Sequence, residues 1–554
     1  MDKLKPKLFS VMKNYTLAQF GKDVVAGIIV AIIALPLSIA LAIASNVPPV
    51  MGIYTAIFAG FVISFLGGSR VQISGPTAAF ATIVAGVVAA NGLEGLMLAT
   101  IMAGILLILM GVFRLGSLIK FIPYTITIGF TAGIALTIVV GQIKDFLGLT
   151  IVSEHPLVET VEKLEGVIEN ITTFNWQALV VGVVSLLVLI LWPMLPGFFK
   201  KIPASLIAVL VGIAMVSGLS MQVNTIGTLY SIEGGLPALT LPKFNGETLK
   251  LAQTVLPDAF TIAILAAIES LLSCVVADGM IGSRHRSNME LVAQGAGNIT
   301  SALFGGIPAT GAIARTAANV KNGGRTPIAG MVHAVVLLLV MLVLMPYAAL
   351  IPMPTIAAIL LMVAYNMSDW RTFVRICKTA PKSDILVLVL TFVLTVAFDL
   401  VVAIAVGILL SAILLMKRMS EVTHVEGWTD VEGDKLLKVP ANALVFEITG
   451  PLFFGAADQL LKVNASDDKN CLVLRMSRVG FMDATALHHL ENVVETCKAH
   501  EVQVIVSHAN AQPLKAMQKA GIVKEIGEEF FCSHIDVALM KAASLAKVAE
   551  TENV

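Results

Sequence analysis

Residues 266–326 read AAIESLLSCVVADGMIGSRHRSNMELVAQGAGNITSALFGGIPATGAIARTAANVKNGGRT. The first part of this stretch places a carboxylate, Glu269, inside an apolar run. The sequence GGIPATG follows at 305–311, and after it we predict a short apolar helix that carries Arg315. An acidic and a basic residue beside an interrupted helix, both within apolar sequence, indicate a path for ions rather than a folding element.

The composition identifies an integral membrane protein. Of the 554 residues, 57% are hydrophobic and 13% are charged, whereas soluble domains have roughly a quarter charged residues. Apolar runs of about 20 residues recur, and each is long enough to cross about 30 Å of hydrocarbon as a helix. We predict fourteen hydrophobic segments, two of them short: 22–44, 50–66, 76–90, 93–113, 119–141, 175–195, 202–218, 256–279, 288–305, 311–321, 327–347, 352–366, 383–398 and 400–416.

Charge divides the chain into a basic membrane part and an acidic tail. Up to residue 420 there are 25 Lys and Arg against 18 Asp and Glu, and the remainder has 12 against 19. If the N terminus is cytoplasmic, alternating segments place twenty basic loop residues on that side and four on the other. The positive-inside rule therefore predicts a multi-pass protein with both termini in the cytoplasm. No basic run in the tail suggests binding to nucleic acid.

The segments form two halves of seven. Because seven is odd, the second half begins on the opposite side of the membrane, so the halves are predicted to be inverted repeats. The third segment opens with SGPTAAF at 74–80, and the tenth opens with PATGAIA at 308–314. Gly and Pro before a short apolar run predict helices that begin at mid-membrane, whose first N–H groups lack intrahelical partners and attract anions. The alternative is that Gly and Pro only kink packed helices. The predicted anion-binding residues are Thr77, Ala78, Ala79, Thr310, Gly311, Ala312, Ile313 and Arg315.

The ionisable residues suggest coupling to a second ion. A carboxylate at Glu269 costs several kcal/mol at mid-membrane unless it is paired, protonated or hydrated, so we predict a proton or cation site there, with Ser273 one turn further on. A structural Glu hydrogen-bonded to a neighbouring helix is the alternative. Arg315 either adds positive potential to the anion site or pairs with a carboxylate such as Glu269, and the sequence leaves both open. We expect no metal ion and no organic cofactor.

From about residue 440 strands and helices alternate, which predicts a small α/β domain. The predicted elements are strands at 443–449, 471–476 and 502–507 and helices at 455–463, 485–500 and 512–520. No phosphate-binding loop and no catalytic constellation is present in this tail, so we predict a regulatory or assembly role and no enzyme activity. Thr485 lies at a strand-to-helix turn, where phosphorylation is the alternative to simple helix capping by Asp483.

Several motifs in the chain resemble those of the SulP anion transporter family. The stretch VPPVMGIY at 47–54 is similar to the P-P-x-x-G-x-Y motif of that family. GGSR at 67–70 with SGPTA at 74–78 resembles its third-segment motif, and residues 305–330 resemble its tenth-segment motif. The tail resembles a STAS domain. The match covers nearly the whole chain.

This resemblance implies a polytopic all-α membrane domain with a seven-plus-seven inverted repeat, plus a cytoplasmic α/β STAS domain. Segments 1–4 and 8–11 would form a core that carries the anion past a gate domain by an elevator-like movement. Homodimerisation in a bacterial inner membrane and a cytoplasmic regulator of the STAS domain are further expectations. Animal relatives often have Gln where this chain has Leu37. The predicted wall of the site comprises Leu37, Leu41 and Gln72.

The implied domains are a cytoplasmic N-terminal segment 1–21, a first repeat 22–218, an external loop 219–255, a second repeat 256–418, a linker 419–439 and a STAS domain 440–554. Glu269 most resembles the acid of bacterial proton-coupled members that take C4-dicarboxylates. We therefore expect proton-coupled uptake of a small anion, with sulfate or bicarbonate as other substrates. The competing functions are sodium–bicarbonate symport and a passive anion channel or exchanger.

Overall fold

The computed structural model describes residues 4–117, 123–151, 157, 159–196, 202–230, 235–242, 245–398, 400–427, 439–462 and 469–552. The chain forms two compact units, Met1–Ile408 and Leu409–Val554. The first unit is almost entirely helical, and the second contains a five-stranded sheet.

The first half of the helical unit follows the predicted segments. Its third and fourth segments form one long element, α3, that is broken at Gly92. This glycine has φ 66° and ψ −172°, a conformation that other residues adopt only with strain. The helices are α1 (Leu17–Ala44), α2 (Pro49–Leu66), α3 (Ala81–Val112, preceded by a 3-10 turn at Ala78–Phe80), α4 (Tyr124–Leu147), α5 (Thr160–Glu169), α6 (Trp176–Leu191) and α7 (Ala204–Gly218).

The second half is also helical. Its helices are α8 (Gly246–Thr254), α9 (Leu256–Ile281), α10 (Ser287–Leu303), α11 (Ile313–Lys321), α12 (Ile328–Ala348), α13 (Met353–Ser368), α14 (Trp370–Thr379), α15 (Lys382–Ala397) and α16 (Leu400–Val422). Short helical turns lie at Leu8–Val11 and Ile226–Leu229. Helices α5, α8 and α14 are not among the predicted segments because they are too short or too polar to cross a membrane. Among the described residues, eight helices are long and apolar enough to do so.

The helices pack in two groups. In the first group, α10 packs against α3 and α2, α12 packs against α1 and α2, and α9 packs against α3 and α11. In the second group, α13 and α15 pack against α4, while α6 packs against α13 and α7. Each group takes helices from both halves of the chain, as expected for interdigitated repeats. We call the first group the core and the second the gate.

Two very short strands pair inside the core, and we call this pair the crossing. Strand β1 (Ser74–Gly75) precedes the 3-10 turn that leads into α3, and strand β2 (Thr310–Gly311) precedes α11. They pair antiparallel, with Ser74 opposite Gly311 and Gly75 opposite Thr310. Backbone that is not helical is tolerated at membrane depth only where its polar groups are satisfied by protein or water, and this pairing satisfies part of them.

The second unit contains a sheet of order β3-β4-β5-β6-β7. Strand β3 pairs antiparallel with β4, and the other neighbours are parallel. Leu472, Leu474 and Met476 face one side of the sheet, and Cys471 and Val473 face the other, as the period of two residues in a strand requires. The strands are β3 (His424–Gly427), β4 (Ala443–Thr449), β5 (Cys471–Arg478), β6 (Gln503–Ser507) and β7 (Phe531–Cys532).

Helices cover both faces of this sheet. Helices α17 (Ala484–Ala499) and α18 (Ala511–Ala520) cover one face, and α19 (Ile535–Glu552) covers the other. The short helix Ile522–Ile526 follows α18, and the predicted helix 455–463 is a 3-10 turn at Ala457–Lys462. Residue 463 itself lies outside the described residues.

The predicted linker 419–439 needs a correction. Its first residues complete helix α16, and His424–Gly427 form strand β3 of the sheet, because their backbone pairs with Phe446–Thr449. Residues 428–438 lie outside the described part of the chain.

Candidate anion site

The pairing of β1 with β2 brings the third and tenth segments together at their starts. The amide of Ala312 donates to the carbonyl of Ile73 at 2.9 Å, which extends the ladder by one bond. The 3-10 turn before α3 starts at Ala78, and α11 starts at Ile313. Each helical start is two residues later than predicted, because Thr77 and Ala312 have extended backbone and Gly311 belongs to β2.

The two starts form a concentrated positive end. The first turn of a helix leaves backbone N–H groups without intrahelical acceptors, and the aligned peptide dipoles add roughly half a positive charge. Ala78 and Ala79 are small and buried, so the backbone there can be approached closely. Ile313 is 43% exposed at the start of α11, which leaves that first turn accessible. This arrangement is suited to an anion without any cationic side chain touching it.

Glu269 on α9 lies directly beside the start of the third segment. Its Oε2 accepts a hydrogen bond from the hydroxyl of Thr77 at 2.8 Å. The carboxyl group is only partly buried, and Arg315 is close enough to interact with it electrostatically. The hydrogen bond places this carboxyl group at the start of the helical turn, next to the candidate anion site.

Arg315 holds the backbone of the crossing. It is 2% exposed, and its Nη2 donates to the carbonyl of Pro76, immediately before the third helix. Its Nε and Nη1 have no hydrogen-bond partner within the described part of the chain. A Cβ on Gly75 would lie 2.6 Å from Nη1, so the guanidinium group in its present position leaves no room for a side chain on residue 75. The guanidinium thus clamps the third segment to the tenth and places a buried positive charge at the site.

Other predicted site residues are used by the scaffold. The hydroxyl of Thr310 donates to the carbonyl of Ala266 at 3.0 Å, which fastens β2 to α9. Ser273 does not reach Glu269; its hydroxyl donates to Thr316 Oγ1 at 3.3 Å. Thr316 in turn accepts from the amide of Ile73 at 3.0 Å. The Ala312 amide is also paired. Thr310, Ser273 and Ala312, three of the predicted site residues, therefore hold the backbone of the site in place.

The predicted wall residues differ in their exposure and in their contacts. Leu41 is buried on α1, and Leu37 is partly exposed one turn before it. Gln72 packs against Gly311, but both of its amide N–H groups are used, at 2.7 Å to Ser270 Oγ and at 2.9 Å to Glu290 Oε1. Its Oε1 accepts from Cys274 at 2.7 Å. Gln72 therefore supports the crossing from behind.

A second carboxylate, Glu290 on α10, was not predicted as part of the site. It has no exposed surface. Its Oε2 accepts from the amides of Gly68 and Ser69 at 2.8 and 3.1 Å. Its Oε1 accepts from Gln72 and from Gln294, which also donates to Ser74 Oγ at 3.2 Å. Glu290 thus anchors the loop that leads into β1. In the sequence, a Glu close to the predicted start of a segment is typical of a helix N terminus. No local pattern indicates that its hydrogen-bond partners lie in distant parts of the chain.

A cavity of about 210 Å³ leads away from the site between core and gate. Ala79 lines it from the 3-10 turn before α3, and Thr82 and Val87 line it from the first half of α3. The gate contributes Thr137 from α4 and Thr395 from α15. The cavity extends towards the start of α5, which the charge pattern assigns to the outside. It offers a route along which a small polar solute meets threonine hydroxyls.

Comparison with known proteins places this geometry in a family. The sequence profile of the sulfate permease family matches residues 20–391, and that of the STAS domain matches residues 434–538. The chain belongs to the sulfate permease family. The predicted membership in this family, with a C-terminal STAS domain, is confirmed, and the relatives found are transporters rather than enzymes.

Relatives of this sulfate permease family member span nearly its full length. A protein of Bacillus subtilis named putative sulfate transporter YvdB is 40% identical over 530 residues, covering 95% of this chain and 98% of the relative. The bicarbonate transporter BicA of Picosynechococcus sp. is 32% identical over 526 residues, covering 91% of each chain.

Solved structures share the fold of this family member. The transmembrane domain of a cyanobacterial BicA matches with a TM-score of 0.63 and 31% identity, over 70% of this chain and 98% of that one. Murine Slc26a9, an anion transporter, matches with a TM-score of 0.86 over 98% of this chain and 94% of its own length. At 20% identity, the second likeness concerns the fold alone. The predicted fold class, a helical membrane domain with a C-terminal α/β domain, is confirmed.

In the STAS domain of this family member, Asp483 is an N-cap. Its Oδ1 accepts from the amide of Ala486 and its Oδ2 from the amide of Phe454, both at 2.9 Å. Thr485 is exposed in the first turn of α17. Capping accounts for the Asp, and phosphorylation of Thr485 stays a prediction. Burial raises the pKa of the Cys471 and Cys497 thiols to about 11, which suits reduced, structural cysteines.

Proposed function

We propose that this anion transporter of the sulfate permease family takes up a small anion together with protons, and that Glu269 is the coupling group. The hydrogen bond from Thr77 to Glu269 at 2.8 Å carries the proposal, because it joins the carboxyl group to the start of the helix that would hold the anion. C4-dicarboxylates are the favoured substrate class. Sulfate and bicarbonate are the next candidate substrates, because they appear in the names of the relatives YvdB and BicA.

The coupling has an electrostatic basis. An ionised Glu269 repels an anion at the nearby helix starts, and protonation of Glu269 removes that repulsion. By linkage, an anion that binds more tightly to the protonated form also favours proton uptake. Proton and anion therefore bind together, and their joint release on the other side completes symport. The Thr77 hydroxyl can donate to the carboxylate or accept from the carboxyl group, so it stays paired in both states.

Proteoliposome uptake tests this proposal. Purified full-length protein is assayed with labelled succinate, sulfate and bicarbonate, while the proton and sodium gradients are imposed independently. We expect an inward proton gradient to concentrate substrate, and Glu269→Gln to abolish this concentration while substrate exchange persists. The matched control is Glu94→Gln, which removes an exposed carboxylate from α3. Unchanged proton-driven accumulation by Glu269→Gln would refute the coupling role.

Sodium–bicarbonate symport is the second candidate. The 32% identity to the bicarbonate transporter BicA favours it, and the same carboxylate would then bind sodium. In the same vesicles, bicarbonate uptake would follow an imposed sodium gradient and be indifferent to a proton gradient. Uptake that does not change when sodium is replaced by choline eliminates this candidate.

We also propose that the core moves past the gate in an elevator-like manner and that two chains form a homodimer. The division of the helices into two packed groups supports the movement. Ala79 on the core and Thr137 on the gate both line the 210 Å³ cavity. Bridging Ala79→Cys and Thr137→Cys with a bifunctional thiol reagent should arrest transport, whereas neither single variant should respond. Continued transport by the bridged protein would rule out the movement, and cross-linking in membranes tests the dimer.

A further inference from the structure

A basic cavity lies on the face of the core that carries the N terminus. Its volume is about 520 Å³. Three cationic residues line it: Lys7 from the N-terminal segment, Arg70 from the loop before β1, and Arg325 from the turn after α11. Ser10, Tyr15 and Thr16 add hydroxyl groups to its wall. No carboxylate lines it among the residues that the structure describes.

The nearest acid is turned into the wall. Asp23 has no exposed surface. Its Oδ2 accepts from the Tyr15 hydroxyl at 2.9 Å and from the Thr326 hydroxyl at 2.6 Å. Its Oδ1 accepts from Gln19 Nε2 at 2.9 Å and from the Arg325 amide at 2.8 Å. With its oxygens committed to these donors, Asp23 offsets one of the three positive charges and leaves an excess facing the cavity.

The cations are held in place, and one has an unmet donor. Arg325 Nη1 donates to the carbonyls of Val320 and Gly324, both at 2.8 Å, and Lys7 Nζ donates to the carbonyl of Arg284 at 2.7 Å. Arg70 Nε is buried and has no hydrogen-bond partner in the described ranges. A buried N–H without an acceptor costs about 1–3 kcal/mol, so this position favours an incoming oxyanion.

We propose that the basic cavity binds a phosphate group, carried either by an anionic lipid headgroup or by a free phosphate in solution. A phosphate offers several acceptor oxygens and up to two negative charges, which match two guanidinium groups and an ammonium group. Bound there, it would join the N-terminal segment to the loop before β1 and to the turn after α11. It would therefore fasten together the backbone on the entry side of the third segment and the exit side of the tenth.

Calorimetric titration of the full-length protein tests this site. The protein is placed in phosphatidylcholine nanodiscs and titrated with inorganic phosphate against a chloride control of equal ionic strength. We expect Arg70→Gln to weaken phosphate binding by about 10-fold or more, since it removes charge-assisted hydrogen bonds. The matched control is Lys13→Gln, which removes an exposed charge from the same N-terminal segment but lies outside the cavity wall. If Arg70→Gln folds poorly, Val11→Glu serves as the test variant in its place. It puts a carboxylate on the cavity wall and should weaken phosphate binding by a similar factor.

The source of the phosphate is decided by the lipid. Phosphate binding in phosphatidylcholine discs that depends on Arg70 identifies a site open to solution. A rise in Tm that depends on Arg70 in discs containing phosphatidic acid, without binding of free phosphate, identifies a lipid site. If neither response occurs, or if both persist in Arg70→Gln and Val11→Glu, the proposal is overturned. Phosphate bound at the helix starts of the transport site would persist in both variants and is thereby recognised.

Discussion

The hydroxyl of Thr77 donates to Oε2 of Glu269 at 2.8 Å, although 192 residues separate them. Thr77 is the last residue before the helical turn of the third segment, and Glu269 belongs to the eighth. The bond therefore connects the start of a broken helix in one repeat with a carboxyl group of the other. Protonation of Glu269 therefore changes the charge directly beside the proposed anion site.

Thr77→Val should impair transport without unfolding the protein. Valine has the same shape but cannot donate to the carboxyl group, and a hydrogen bond to a charged group contributes about 1.5–3 kcal/mol. We expect proteoliposome uptake to fall by about 10- to 100-fold. Thr77→Ser keeps the hydroxyl and should keep most of the activity. Equal uptake by the Val and Ser variants would show that the bond has no part in transport.

Glu290→Ala should lower stability strongly. It leaves the amides of Gly68 and Ser69 and the side-chain donors of Gln72 and Gln294 without their acceptor. Breaking such a buried network costs about 3 kcal/mol or more. A thermal melt followed by size-exclusion chromatography measures the loss. Glu94→Ala, at an exposed position on α3, is the control, and similar melting of the two variants would contradict the assigned role.

Gly75→Ala should displace the Arg315 guanidinium group. The added Cβ would lie 2.6 Å from Nη1 and 3.4 Å from the Cα of Ala56, so the guanidinium group must shift, and we expect its bond to the Pro76 carbonyl to weaken. Overpacking of this kind costs about 1–3 kcal/mol, and we expect uptake to fall by about 10-fold or more. Gly218→Ala meets no atom within 4 Å and should transport normally. Wild-type uptake by Gly75→Ala would mean that the clamp is dispensable.

The buried thiols of the STAS domain predict a pH dependence. Burial raises the pKa of Cys471 and Cys497 from 9.0 to about 11, so both stay protonated in the folded state while the unfolded chain begins to ionise near pH 9. The resulting stabilisation is fully present below pH 9 and is lost as the pH rises towards 11. At pH 8 we expect iodoacetamide to modify both thiols only after denaturation, as measured by mass spectrometry. Rapid labelling of the native protein at pH 8 would contradict the burial.

The sequence was sufficient for the segments and their interruptions. Long apolar runs indicate helices that are long enough to cross the membrane. Gly and Pro before a short apolar run indicate a helix that begins within the membrane. The position of Glu269 within an apolar run indicated an ion site, and the structure adds that Glu269 lies beside the start of the third segment. The sequence does not show that the side chains of Ser273, Thr310 and Gln72 form hydrogen bonds with the surrounding helices, because their partners lie in other segments. The role of Glu290 cannot be predicted for the same reason. The sequence also does not predict β3, because four residues with one buried side chain give no strand pattern.

The short ladder between Ser74–Gly75 and Thr310–Gly311 has a mechanical consequence. Two helix tips that share backbone bonds cannot be drawn apart like the jaws of a clamp without exposing unpaired amides to a dry interior. In the elevator-like movement proposed above, an anion bound at these helix starts would therefore enter and leave through a shift of the surrounding helices, while the paired strands stay together. Selectivity would then be a fixed property of the paired strands, while speed would be decided at the surfaces along which they slide.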